Sequence, residues 1–128
     1  FGGNLQAISG RPYSARGIHP TDVFAQGYGA FSFFSGGQPA PRGTAGKTPF
    51  TTRVDLNGEY TPVVLASKAT VGIDVFNVLD ADKATEVYER SDNGFNPGTG
   101  VYTAEPSFRA PTNYQAPRFV RFSTEVRF

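Results

Sequence analysis

The segment Gln115-Ala116-Pro117-Arg118-Phe119-Val120-Arg121-Phe122-Ser123-Thr124-Glu125-Val126-Arg127-Phe128 carries the cleanest period in the chain. Counted back from the end, Phe128, Val126, Thr124, Phe122 and Val120 fall on one face, and Arg127, Glu125, Ser123 and Arg121 on the other. Side chains alternate across a strand, so the segment reads as a β-strand with one apolar and one charged face. The end strand of a soluble β domain gives the same alternation. A transmembrane barrel also puts its most regular strand last and closes on an aromatic residue, with outward side chains in lipid and inward ones in a polar lumen. In hydrocarbon that strand must find a backbone partner, because no amide or carbonyl can be left unpaired there.

Working outward, three further strands are expected, near residues 3–10, 50–61 and 68–89, with the last at 118–128. In the second, Val54, Leu56, Gly58 and Tyr60 share a face opposite Arg53, Asp55, Asn57 and Glu59. In the third, Val71, Ile73 and Val75 alternate with Gly72, Asp74 and Phe76; the period breaks at Asn77-Val78-Leu79-Asp80 and resumes near Thr85–Glu89, which suggests a two-part strand with a bulge. Residues 11–49 hold five prolines and many glycines, and residues 91–114 are rich in turn formers, so both read as long loops. Within the first, Tyr28–Phe34 suggests a short hairpin arm or an aromatic cluster. A short link, Val63–Lys68, joins the second and third strands.

Composition narrows the classes. Twelve basic and eleven acidic residues leave a formal charge of +1 with no basic run, which argues against a nucleic-acid partner. The longest aliphatic run, Val63-Val64-Leu65-Ala66, falls far short of the roughly 20 residues of a spanning helix. Any membrane crossing is therefore by strands. The 128 residues include no Cys, so disulfides and thiolate chemistry are excluded; 15 Gly, 10 Pro, 12 Phe and 6 Tyr favour strands and irregular loops over helices. The chain has no Met, and its opening Phe1-Gly2-Gly3-Asn4-Leu5 has neither part of a signal peptide, so a piece of a longer protein is expected.

Ala116-Pro117-Arg118 ahead of a last strand ending in Phe resembles the carboxyl end of TonB-dependent outer-membrane receptors. Val75-Phe76-Asn77-Val78-Leu79-Asp80 resembles the Asn-Leu-Phe-Asp element of their penultimate strand, with Val78-Leu79 in place of Leu-Phe. Ser9-Gly10-Arg11-Pro12, His19-Pro20-Thr21-Asp22, Pro41-Arg42-Gly43 and Gly46-Lys47-Thr48-Pro49-Phe50 look like the corresponding region of the Oar-like branch. The resemblance spans nearly the whole chain. It implies an all-β fold in which residues 1–128 are the last four strands of a large antiparallel transmembrane barrel of roughly 22 strands. The long loops are then extracellular and the link periplasmic, and the plug and earlier strands lie elsewhere. The implied function is uptake of a scarce nutrient across the outer membrane of a Gram-negative bacterium. Implied partners are outer-membrane lipid, the rest of the barrel, and TonB acting through the plug. Phe128, Val126, Thr124 and Phe122 match the strand end that looks like the family's assembly signal.

The same reading sets Arg53, Asp55, Asn57, Glu59, Asp74, Arg121, Glu125 and Arg127 toward the lumen, and Val54, Leu56, Val71, Ile73, Val75, Val120, Phe122 and Val126 toward lipid. His19 is the only histidine and has no second nitrogen or sulfur ligand, so no metal site is expected. Asp80 and Asp82 beside Lys83 read as a solvated turn, and Gly98-Thr99-Gly100 lacks the rest of a phosphate loop. No enzyme and no cofactor are expected. The loop aromatics Tyr28, Phe31, Phe33, Tyr102 and Phe108, with Phe34, Phe95 and Tyr114, are candidates for ligand contact; as an interfacial girdle or loop packing they would have no ligand. The alternative functions are a soluble extracellular β domain that binds carbohydrate or protein, and a structural outer-membrane barrel without transport.

Overall fold

The computed structural model describes residues 1–28, 31–62 and 69–127. Along the chain run β1 (Gly2–Ile8), β2 (Pro12–Tyr13), β3 (Gly17–Ile18), α1 (Val23–Tyr28), β4 (Phe31–Ser32), β5 (Phe34–Ser35), β6 (Gln38–Pro39) and β7 (Gly46–Lys47). They are followed by β8 (Thr51–Tyr60), β9 (Ala69–Phe76), β10 (Ala84–Val87), β11 (Asp92–Asn96), β12 (Val101–Ala104), β13 (Pro111–Tyr114) and β14 (Phe119–Val126). The protein is all-β and antiparallel, and no described helix is long and apolar enough to cross a membrane. Two compact units result: Phe1–Ser9 with Phe50–Lys83 and Gln115–Phe128, and Gly10–Pro49 with Ala84–Tyr114.

The first unit is a four-stranded meander in the order β1-β8-β9-β14. Direct partners in an antiparallel ladder share a face, so the register sorts the side chains. On one face lie the rows Leu56–Val75–Val120, Gly58–Ile73–Phe122 and Tyr60–Val71–Thr124. On the other lie Asn57–Asp74–Arg121 and Glu59–Gly72–Ser123. β1 adds Leu5 beside Val54 on the apolar face, with Asn4 beside Asp55 and Gln6 beside Arg53 on the polar one. Among the described residues β1 and β14 each pair on one side only, so the sheet is open.

Two expectations about strands need correction. The stretch 68–89 is not one bulged strand: β9 ends at Phe76, and β10 belongs to the second unit, where it pairs with β13. The cause is a turn in which Asn77 and Asp80 take φ values of +50° and +52°. Asn77 tolerates that left-handed region because its short amide bonds locally. Its side chain is buried, accepting from the Ala81 amide (3.1 Å) and donating to the carbonyls of Ala81 (3.0 Å) and Ala116 (2.8 Å). The first strand stops at Ile8, short of Gly10, where a Cβ would run into the Thr48 carbonyl. The link Val63–Lys68 and the terminal Phe128 lie outside the described residues.

The second unit consists of five two-stranded ribbons: β2–β7, β3–β4, β5–β6, β10–β13 and β11–β12. Tyr28–Phe34 is not a hairpin of its own, since β4 pairs back to β3 while β5 pairs forward to β6; Gly29 and Ala30 lie outside the described residues. Nor does the composition exclude helix altogether. Asp22 caps α1 by accepting from the amides of Phe24 (2.9 Å) and Ala25 (3.2 Å). Among the described residues only Ala15, Ile18 and Ala25 are buried apolar residues, too few to organise the unit by hydrophobicity alone. Buried Asp92 supplies the missing cohesion: its carboxylate accepts from the amides of Ile18 (3.0 Å) and Gly36 (3.0 Å), joining three segments. Gly17 makes room for it, because a Cβ there would collide with the Asp92 carboxylate.

Replacing Asn77 by Ala should lower stability by roughly 2–4 kcal/mol, by orphaning three backbone groups and forcing Ala into a left-handed turn. Asn77→Gly should lose less, by about 1 kcal/mol, because it relieves only the backbone strain. Thermal unfolding followed by circular dichroism orders the three proteins, and equal losses for Ala and Gly would remove the backbone part of the argument. For the second unit, Gly17→Ala and Asp92→Ala should each expose residues 10–49 to limited proteolysis, with overpacking alone costing about 1–3 kcal/mol.

Candidate functional site

The polar face of the sheet is a charge ladder with an aromatic platform in it. Arg53 donates through Nε to Asp55 (2.8 Å) along β8, and Arg121 donates across strands to Asp74 (3.0 Å). Asp55 also accepts from the Asn77 amide (2.9 Å), which ties the ladder to the turn. Phe76 and Phe119, directly paired, stack with centroids 4.5 Å apart. The guanidinium carbons of Arg53 and Arg121 lie 5.7 Å and 5.5 Å from the Phe76 centroid. Such cation–π pairs are worth about 0.5–1 kcal/mol at exposed sites, which suits a Phe on an otherwise hydrophilic surface. A recess of about 320 Å³ opens here, lined by Asn4, Asp55, Asn57, Asp74, Phe76 and Arg121. Arg53, Asp55, Asn57, Glu59, Asp74, Arg121 and Glu125 therefore share one face, and Glu125 pairs with Arg127 at 2.8 Å.

The opposite face is apolar and uncovered. Phe122 is 75% exposed, Leu5 71%, Val126 50% and Ile73 41%, although Ile73 sits in the middle of the sheet. Thr124, Val126 and Phe122 lie on this face as a row along β14, whose outer edge is unpaired. Monomeric soluble proteins rarely leave a contiguous apolar surface of this kind open to water.

The two sequence elements that carry the family resemblance meet in space. Asn77 donates to the Ala116 carbonyl, 39 residues away, and Asp80 accepts from the Arg118 amide (3.1 Å) while pairing with its guanidinium (3.7 Å). Asp80 is thus a tether between the β9 turn and the start of β14, a role that its reading as a solvated turn residue left out.

The loop aromatics do not converge. Tyr28 is exposed on α1; Phe31 lies under Arg90, whose guanidinium carbon is 4.3 Å from the ring centroid; Tyr102 leans on Phe95; Phe108 lies beside Arg109. Phe33 lines a cleft of about 420 Å³ that it shares with Arg11, Arg16, Arg42 and Glu89. A neighbouring cleft of about 270 Å³ is walled by Tyr13, Thr85, Glu86, Tyr88 and Thr112, and both clefts include Arg11 and Glu89.

Both clefts arise from how residues 11–16 run beside 86–91. The segments are joined backbone to backbone at one end, where the Arg16 amide donates to the Glu89 carbonyl and the Ser91 amide to the Arg16 carbonyl, each 2.9 Å. Further along, side chains link them: Glu89 accepts from the Ser14 amide (3.2 Å) and Arg11 faces Glu86 (3.7 Å). Tyr13 lies over Gly46, where any Cβ would strike its hydroxyl. Tyr13, Tyr88 and Arg16 fall in no motif, and Arg11 and Arg42 fall in motifs read for resemblance and not for binding; the nearness of Arg11 and Arg16 in sequence, with Arg42 in a turn, was the available signal. Among the described residues no group of three or more His, Cys, Asp or Glu is placed to hold a metal ion, and His19 packs edge-on against Phe34.

If the face assignment orders the sheet, Phe76→Ala should destabilise it by about 1–3 kcal/mol through loss of the stack and both arginine contacts. A thermal shift no larger than that of an exposed Phe24→Ala control would show that the platform carries no weight. The sequence matches no protein-family model, no curated protein and no solved structure.

Proposed function

We propose that the chain is the carboxyl-terminal part of an outer-membrane β-barrel of the TonB-dependent receptor type, contributing four wall strands and two long outer loops to the uptake of a scarce nutrient. The observation that carries this reading is the sheet itself: one face charged, the other apolar and exposed, and both edges unpaired. A soluble domain would cover the apolar face, whereas lipid is the natural solvent for it and a water-filled lumen for the other. Each unpaired edge group in hydrocarbon costs several kcal/mol, so the missing strands of a closed barrel are required partners. β8, with 10 residues, has the length of a tilted spanning strand, roughly 9–11 residues.

In this reading the chain catalyses nothing. It resides in the outer membrane of a Gram-negative bacterium, and TonB acts on it through a plug carried elsewhere in the same protein. The segments 10–49 and 84–114 leave the sheet at the ends marked by Ile8, Thr51, Phe76 and Phe119, which is the extracellular side of the proposed barrel.

The decisive measurement is detergent dependence: the protein should require detergent to stay monodisperse. A monodisperse protein without detergent would instead favour a soluble extracellular β domain. Ile73, between Gly58 and Phe122, tests the faces. Ile73→Arg should cost roughly 2–4 kcal/mol near mid-bilayer, and Asn57→Arg on the other face should cost little.

Phe128 tests assembly. The apolar row Thr124, Val126 and Phe122 along an unpaired edge suits strand addition by an assembly factor's own edge. Deleting Phe128 should therefore reduce inserted protein while leaving ligand affinity of the inserted fraction unchanged. Normal insertion of Phe128→Trp, Phe128→Ala and the deletion alike would reject the signal.

A further inference from the structure

The two adjoining clefts of the second unit differ in chemistry in a way that specifies a ligand. Arg16 and Arg42 have no carboxylate within ion-pairing distance among the described residues, while Arg11 has only the loose contact with Glu86. Both free arginines are held in place at the backbone. Arg16 is fixed by its two hydrogen bonds to Glu89 and Ser91. Arg42 sits in a turn closed by Thr44 onto the Pro41 carbonyl, and the next residue, Gly43, at φ +76°, donates to the buried Ser14 hydroxyl (3.0 Å). Glu89, the one acid in this cleft, is engaged by the Ser14 amide. A pair of unneutralised guanidinium groups on rigid backbone, beside a cavity, is a receptor for an anion with planar or multiple oxygens.

The neighbouring cleft offers something else. Tyr13 and Tyr88 supply aromatic surface, and Thr85 and Thr112 supply hydroxyls that make no hydrogen bond among the described residues; Val87 is the only aliphatic residue in the wall. That is no pocket for an apolar side chain. A sugar ring, with an apolar C–H face and a rim of hydroxyls, matches it, and the shared Arg11 puts the two chemistries side by side.

We propose that the two clefts form one site for an acidic oligosaccharide, with Arg16 and Arg42 receiving a carboxylate or sulfate and Tyr13 and Tyr88 receiving the adjoining sugar ring. The receptor reading is needed only for the cleft to face the outside of the cell.

The test uses the whole chain in detergent, titrated calorimetrically with an oligogalacturonate tetramer, a sulfated heparin-type tetrasaccharide, maltotetraose, citrate and an acidic tetrapeptide. At least one acidic saccharide should bind, with an affinity that falls as salt is raised. The Arg16→Gln/Arg42→Gln double variant should weaken it by at least about tenfold, the scale of losing one charge-assisted hydrogen bond or more. Tyr88→Ala should weaken the saccharide but leave citrate unchanged. Equal affinity for maltotetraose, for citrate or for the acidic peptide would overturn the proposal, as would absence of saccharide binding or indifference to the double variant. Circular dichroism of the variants, whose changed side chains are exposed, verifies that they fold. Detergent dependence of the same protein reports on the membrane reading independently, so the two readings succeed or fail separately.

Discussion

The sheet depends on one constraint: among the described residues its two rims are unpaired and its apolar face is uncovered. Inside the meander every ladder position from Leu56 to Tyr60 is paired with β9, and β9 with β14, leaving the demand at the rims, along β1 and β14. Because the side-chain period is two, a slip of one residue would carry Ile73 and Phe122 to the charged face and Asp74 and Arg121 to the apolar one. Direct pairing of Arg121 with Asp74 and of Phe119 with Phe76, all on the polar face, penalises that slip. The register is thereby specified even though the apolar face is largely uncovered among the described residues.

Where the sheet gives way to the loops, the Asn77 turn holds the boundary. It accepts the end of β9, ties to Asp55 on β8 and to Ala116 and Arg118 ahead of β14, and so fixes three strands from one buried side-chain amide and two carboxylates, Asp55 and Asp80. Polar groups do in this place what a hydrophobic plug does in a soluble sandwich, and a fully satisfied polar knot of this kind rigidifies the backbone it joins. The second unit follows the same logic with Asp92, because the three buried apolar residues among those described supply little hydrophobic stabilisation.

How much of this could be read in the sequence follows from the range of the interactions. Alternation is local, and it placed β8, β9 and β14 and sorted Arg53, Asp55, Asn57 and Asp74 from Val54, Leu56 and Ile73, because each strand carries its own pattern. The end of the third strand was misjudged because Thr85–Glu89 alternates as well as Val71–Val75 does, and only the positive φ at Asn77 and Asp80 separates them. Alternation set Phe76 beside Asp74 but gave no hint of the platform that it forms with Phe119, since that role comes from pairing across strands and from arginines on neighbouring strands. The clefts were illegible for the same reason: Tyr13 and Tyr88 become neighbours through Glu89 and Arg16, not through any spacing along the chain.

The Asp92 clamp has a kinetic corollary. Its bond to the Ile18 amide spans 74 residues, and that between the Ser14 amide and Glu89 spans 75, so the second unit is built from some of the most sequence-distant contacts in the protein. High contact order slows folding, because the chain must be closed into a long loop before the contact returns any energy. During synthesis the segment 10–49 is complete long before Glu89 and Asp92 emerge, and until then Ile18 has no carboxylate to meet. The first long loop therefore cannot reach its final form ahead of the second; they order together or not at all.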